Sequence, residues 1–264
     1  MRALCHRGGA TCGACCGLYN IRDLSRASVR VILERRTALL AGVPRTEAAF
    51  RDAVLRLAGE EAPALFPSVR VCPLLGYLDA EGTRVGCLAH PLAAGGQDLR
   101  DCGAYDVPTC DGFFCPSHSW LSEDEAELAV MACAGDPYLY GLVVTDVPFL
   151  RAALEGVAAL TGARVLRRHL DDPAFHRSFA RLLALKEELA PGSDGLFGAF
   201  RPGREGEPLP RGIDYAALGR GVASPYDAIL TCVGADPRSG NDLEELEGEV
   251  RCRLAACARV FPVI

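Results

Sequence analysis

Apolar residues recur at helical spacing in several stretches of this chain, and between those stretches the sequence turns to glycine, proline and cysteine. Helical sequence runs over about 25–41 and stops at Gly42 and Pro44. A second helix begins near Thr46 and carries Ala49, Phe50, Ala53, Val54 and Leu57 on one face, with Pro63 and Pro67 beyond it. Ser122-Glu123-Asp124-Glu125 reads as a capping box that opens a helix to about Cys133. Residues 148–160 gather Leu150, Ala153, Leu154, Val157 and Ala158. Residues 173–189 align Phe175, Phe179, Leu182, Leu183 and Leu189, behind an N-capping Asp171-Asp172 pair. A last helix over 242–261 repeats Leu243, Leu246, Val250, Leu254, Cys257 and Phe261.

Elsewhere the period is lost. Residues 1–22 are rich in glycine and cysteine and show neither period. From Val69 to His118 short strands and loops are expected: a strand over 69–72, hairpin chemistry over 76–82 and a returning strand over 83–88. Residues 191–212, rich in glycine and proline, read as a long surface loop. The expected fold is mainly α, with an irregular, Cys-rich, metal-bound N-terminal half containing small β elements (α+β). A Cys-rich region over 1–120 is expected to be followed by a helical region over 121–264 packed on it.

The chain has 264 residues, half of them apolar, enough to bury a core in one large domain or two small ones. A net charge of -6 gives nucleic-acid binding no general support. The local basic group Arg164, Arg167, Arg168 and His169 reads as the solvated end of a helix. With no leader-like apolar run and no stretch long enough to span a bilayer, the expected location is the cytoplasm, away from membranes. That changes the meaning of thirteen cysteines, because cytosolic thiols stay reduced and an odd count closes no disulfide framework. Nine of the thirteen fall within the first 115 residues. Reduced, clustered cysteines point to metal.

Cys12-Gly13-Ala14-Cys15-Cys16-Gly17, with Cys5 upstream, carries a Cys-x2-Cys pair whose sulfurs can reach one tetrahedral ion at about 2.3 Å. Gly13 and Gly17 permit the tight turns of such a knuckle. The adjacent Cys15 and Cys16 do not readily point both sulfurs at one ion, and they suit two metals, or a cluster and a neighbouring site. On the hairpin reading Cys72 and Cys87 lie on paired strands, and His90 follows Cys87 at Cys-x2-His spacing. Cys102, Cys110 and Cys115-Pro116 supply further thiols, with four residues between Cys110 and Cys115. His118 reads as a loop histidine, and Gly95-Gly96-Gln97-Asp98-Leu99-Arg100-Asp101 as an exposed polar turn, with a stretch that shapes a site beside the metal as the other reading. His169 and His176 have no evident partner.

In their order, Cys12-Gly-x-Cys15-Cys16, then Cys72-Pro-x-Leu, then Gly86-Cys87 with a nearby proline and a further cysteine resemble the zinc- or iron-chelating cysteine-cluster family (YkgJ-like). The match covers roughly residues 5–115. It departs from the family in the longer Cys5–Cys12 gap, in His90-Pro91 where the family has tyrosine and Arg-Pro, and in the long stretch from Gly95 to Cys115. The resemblance implies metal binding by Cys12, Cys15, Cys16, Cys72 and Cys87, with zinc and iron both proposed for the family. Some relatives are associated with methylation of flagellin lysines, which implies an enzymatic role as one reading.

Cys133, Cys232, Cys252 and Cys257 sit among alanine, leucine and valine and read as core residues, since a free cysteine packs as a small apolar group. No nucleophile elbow, Walker loop, zincin motif or dinucleotide fingerprint occurs. The expected function is an intracellular metal-binding protein holding zinc or an iron–sulfur centre, with a protein partner for the helical half as a further reading. The alternatives are a zinc or iron–sulfur enzyme of redox or group-transfer type, and thiol buffering or metal delivery.

Overall fold

The computed structural model describes residues 4–60, 64–189 and 198–262. They are mainly helical, with two small antiparallel sheets. Helix α1 (Arg26–Ala41) starts where Ser25 Oγ accepts the Ser28 N–H at 3.2 Å, and α2 is Glu47–Glu60. Strands β1 (Leu75–Tyr77) and β2 (Val85–Cys87) pair with Leu75 opposite Cys87. Two short helices follow, α3 (Val107–Gly112) and α4 (Ser117–Trp120). The remainder is α5 (Glu123–Ala132), α6 (Pro137–Val144), α7 (Val147–Thr161), α8 (Pro173–Leu183) and α9 (Leu185–Glu188). Strands β3 (Phe200–Pro202) and β4 (Pro208–Pro210), then α10 (Asp227–Cys232) and α11 (Gly240–Arg259), complete the described chain.

The largest buried cluster lies among α5–α8, α10 and α11. Phe149, Leu150, Ala153 and Val157 of α7 meet Phe175, Phe179, Leu182 and Leu183 of α8 and Leu243, Val250, Leu254 and Cys257 of α11, all buried. Each fully buried Leu, Val or Phe contributes about 1.5–3 kcal/mol of apolar transfer. Two smaller clusters lie beside it. One joins Leu18, Tyr19, Val29 and Leu33 to Phe66, Leu75 and Val85; the other joins Leu40, Phe50, Ala53 and Leu57 to Leu74, Ala89 and Leu99.

Specific polar contacts tie the amino-terminal elements to the helices. Buried Tyr19 donates its hydroxyl to the Tyr138 carbonyl at 3.0 Å, and Tyr140 donates to the Leu4 carbonyl at 2.7 Å. Arg26 bridges Asp136 and Glu187, both at 2.7 Å. Inside the helical core Lys186 pairs with Asp146 at 2.5 Å and donates to the Cys232 carbonyl, so both charges are answered at a buried position.

Several sequence expectations need correction. Residues 69–72 form no strand: Val69 closes a turn on Phe66, and the Asn20 side chain bonds the Phe66 and Val69 carbonyls. Pro73, with no N–H, then separates Cys72 from β1, so Cys72 lies ahead of the hairpin and not on it. The expected 173–189 helix breaks at Ala184, and beyond the break Lys186 turns inward. Of the expected loop over 191–212, the stretch 191–197 lies outside the described residues, and the rest contains the β3–β4 hairpin. Its strands are three residues each, largely exposed and proline-containing, too short for a pattern to reveal. Cys252 is exposed on α11, while Cys133, Cys232 and Cys257 are buried as expected. His169 accepts the Leu166 N–H at Nδ1, 2.9 Å, and His176 meets the Met131 carbonyl at 2.9 Å, so both have partners.

Candidate metal centre

A cysteine knuckle, a hairpin and a covering segment converge from three parts of the chain. Ala14–Cys16 is one turn of 3-10 helix closed by Gly17, whose φ of +80° is left-handed. A Cβ on Gly17 would also strike the Arg70 carbonyl and approach Val71 Cα to 2.8 Å. Gly13 serves differently from expectation: its φ is -108°, and it is small because Leu75 packs over it. The knuckle is stitched to its neighbours by backbone, with Cys12 N–H donating to Cys5 at 3.3 Å and Cys72 N–H donating to Cys16 at 2.8 Å. The hairpin ladder continues as Leu88 N–H donates to Leu74, which fixes Cys87 beside the Cys72 loop. Helix α3, capped by Asp106, and helix α4 lie in the covering segment that holds Cys110 and Cys115.

These elements enclose a cavity of about 240 Å³ lined by Cys5, Cys12, Cys15, Cys16, Cys72, Cys87, Cys110 and Cys115. That is many times the roughly 10–15 Å³ that admits one water. Cys102, the ninth thiol of this half, is not among them: it is buried against α2, with Sγ 3.6 Å from the Glu47 carbonyl. Apolar walls come from Leu4, Leu74, Leu75 and Val144, and Phe113 and Phe114 stand half-exposed.

The histidines divide. His90 lines the cavity, but its Nδ1 accepts the Leu92 N–H at 3.2 Å, which in a neutral ring leaves the proton on Nε2 and no lone pair for a metal. His118 also lines it, and its Nε2 is buried with no hydrogen-bond partner. Sequence reasoning passed His118 over, although Cys115-x2-His118 repeats the Cys87-x2-His90 spacing. Arg100, expected on an exposed turn, is buried at the cavity wall and pairs with Asp98 at 2.6 Å and Asp111 at 2.5 Å. Arg36, fully buried, donates to the Cys72 carbonyl at 3.1 Å. Nothing in the helical pattern of α1 marked it as a residue of this region.

Crowding shapes the thiol acidities. Burial pushes Cys12 up to about 12 and Cys87 up to about 11, and it holds Cys16 well above the ordinary range with help from Cys72, Cys87 and Cys110. The Cys15 and Cys115 side chains act on each other, which lowers Cys115 and raises Cys15. N–H groups and the hydroxyl at Ser117 and His118 assist at Cys115.

The donor set is soft and sulfur-rich, which suits zinc or an iron–sulfur centre and not magnesium or calcium. Among the described residues no three Cys, His, Asp or Glu side chains already close on one point as ligands of a single ion. The sulfurs instead ring a space that a metal centre would draw them into. The chain matches no family model, no curated protein and no solved structure. The resemblance to the zinc- or iron-chelating family therefore rests on the cysteine motifs alone.

Proposed function

We propose that this protein binds metal, holding zinc or an iron–sulfur centre among the cysteines that line the cavity, and that the metal organises the Cys-rich half. The observation that carries this reading is the convergence of eight thiols and an unpartnered histidine nitrogen on one cavity from segments about a hundred residues apart in sequence. Neutral thiols add little as packing groups on a cavity wall, whereas each thiolate bound to metal adds folding energy directly. The primary role assigned is structural and binding. The enzyme reading, redox or group transfer such as protein lysine methylation, draws on the apolar opening beside Phe113 and Phe114, which gives a substrate a route to the centre.

The test is metal and acid-labile sulfide analysis of protein purified without oxygen, together with its visible spectrum. A brown protein with sulfide identifies iron–sulfur, and a colourless one with stoichiometric zinc identifies the closed tetrahedral alternative. Native protein that repeatedly emerges without metal defeats the proposal.

A further inference from the structure

The outer wall of the cavity is a thin cover that the body of the protein holds at both ends and at one point between. We infer that residues 108–114 act as a hinged strap, that the Arg100–Asp111 ion pair is its latch, and that release of this latch governs access to the inner thiols Cys16, Cys72 and Cys87. Use of the strap to admit and release metal rests on the metal-binding reading above; the strap itself does not.

Every residue from 108 to 114 is exposed and α3 buries none of its side chains, yet Thr109, Cys110, Phe113 and Phe114 also line the cavity. None of residues 108–114 belongs to the three buried clusters. A segment with solvent on one face and a cavity on the other has little apolar contact to lose, so it opens at low cost. Its flanks are anchored. Ahead of it, Arg70 donates to the Ala104 carbonyl at 2.9 Å, Tyr105 donates to the Arg70 carbonyl at 3.2 Å, and the Val107 N–H reaches Asp101 at 2.8 Å. This front anchor passes over Cys72, whose Sγ would lie 3.0 Å from a Cβ on Gly103. Behind the strap, Ser117 is buried and Arg151 donates to the Trp120 carbonyl at 2.6 Å. Phe114 leans on the His118 ring, centroids 4.8 Å apart, and Gly112 stands in open space where the chain has room to bend.

Between the anchors, among the described residues, one polar contact ties the strap to the rest of the fold, Asp111 Oδ1 with Arg100 Nη1 at 2.5 Å. The pair is lopsided: the Arg100 side chain is 9% exposed and that of Asp111 61%. Arg100 stands on the single turn Arg100–Cys102, where Asp98 accepts its Nε at 2.9 Å and its Nη2 at 2.6 Å. Asp98 therefore keeps the guanidinium paired and in place when Asp111 leaves, and opening strands no buried charge. Asp111 passes directly into water. A pair with one partner so exposed breaks and re-forms readily, which suits a latch better than a permanent brace. Cys110, the neighbour of Asp111, moves with it, so metal that engages Cys110 holds the strap shut.

The test treats full-length protein, freed of metal with a chelator under anaerobic conditions, with iodoacetamide at fixed pH and reads the labelling rate of each cysteine by mass spectrometry. Asp111→Asn should speed labelling of Cys16, Cys72 and Cys87 about fivefold, the weight of a partly exposed ion pair. Asp111→Glu, which keeps the charge, should stay near wild type. Cys133 and Cys257, buried in the helical core, should not change in either variant, which separates opening of the strap from loss of the fold. Raised salt should speed the same three inner thiols in wild-type protein and leave Asp111→Asn unmoved. Wild-type rates at the inner thiols of Asp111→Asn, or an equal rise at Cys133 and Cys257, overturns the latch. In metal-loaded protein, release of zinc or iron to a chelator should quicken in Asp111→Asn by a similar factor. Faster labelling with unchanged release overturns the control of metal and leaves the strap. Protein that never holds metal overturns the binding reading instead, and the labelling result still decides the strap.

Discussion

Asn20 offers the sharpest test of how the site is assembled. The residue is fully buried, and its side chain makes three hydrogen bonds: Nδ2 donates to the Phe66 carbonyl at 3.0 Å and the Val69 carbonyl at 2.7 Å, and Oδ1 accepts the Phe66 N–H at 2.7 Å. Its own carbonyl accepts the Leu65 N–H. It thus locks the 65–69 turn, which leads directly to Cys72, against the cysteine knuckle. Asn20→Ala removes three bonds worth about 0.5–1.5 kcal/mol each and leaves a buried N–H unanswered at about 1–3 kcal/mol. The expected loss is about 3–5 kcal/mol, a large share of a typical stability of about 5–15 kcal/mol. Asn20→Asp keeps the acceptor but sets an oxygen against two carbonyls, so at neutral pH it should lose at least as much. Denaturant unfolding followed by circular dichroism measures both, and metal content measured in parallel should fall as Cys72 loses its position. A loss below about 1 kcal/mol for Asn20→Ala, or wild-type stability for Asn20→Asp, would refute the reasoning.

Lys186→Met strands the Asp146 carboxylate in the helical core and should cost about 3–5 kcal/mol in denaturant unfolding; full stability would show that the pair is solvated. Glu125→Ala dismantles the capping box and the ion pair with Arg151, at a cost of about 1–2 kcal/mol at neutral pH once the exposure of Arg151 is allowed for. The Arg151 guanidinium holds the Glu125 carboxyl down at about 2, from an ordinary 4.5. Its contribution is therefore complete above about 4.5 and disappears as the pH falls through about 2. The gap between wild type and variant should shrink over that window in an acid titration of stability, and a gap that stays at its neutral-pH size down to pH 2 would contradict it.

Legibility in the sequence followed the physics of each element. Helices with a one-sided apolar face were plain: α1, α2, α5, α7 and α11 lie within a few residues of expectation, and Ser122 and Asp172 cap where their chemistry indicated. Helix α6 escaped because nearly all of it is buried, which erases the period that a half-solvated helix displays. The returning strand over 83–88 was visible and contains β2, yet its partner was misplaced by a few residues, since the decisive bonds come from Asn20, about fifty residues away. The eight cavity cysteines stood out as a cluster in the sequence. Their arrangement did not: which thiols face one another depends on a 3-10 turn, a hairpin register and the path of the covering segment. Cys102 shows the limit, being close to Cys110 and Cys115 in sequence but folded away against α2.

The two halves of this molecule are stabilised unequally, and that asymmetry predicts how it comes apart. Helices α7, α8 and α11 share one continuous apolar core whose large side chains are fully buried. Around the cysteines, by contrast, burial is split between two smaller clusters, with the thiol-lined cavity beside both. Apolar contact holds the first region whatever occupies the cavity, whereas on the proposed metal-binding reading the second depends on metal to bind the knuckle, the hairpin and the covering segment together. Hydrogen exchange of full-length protein before and after chelation separates these contributions. Amides of β1, β2, α3 and α4 should exchange markedly faster without metal, while those of α7, α8 and α11 remain protected. Unchanged exchange around the cysteines would mean that their packing stands without metal. An equal increase everywhere would mean that the two halves unfold as one cooperative unit.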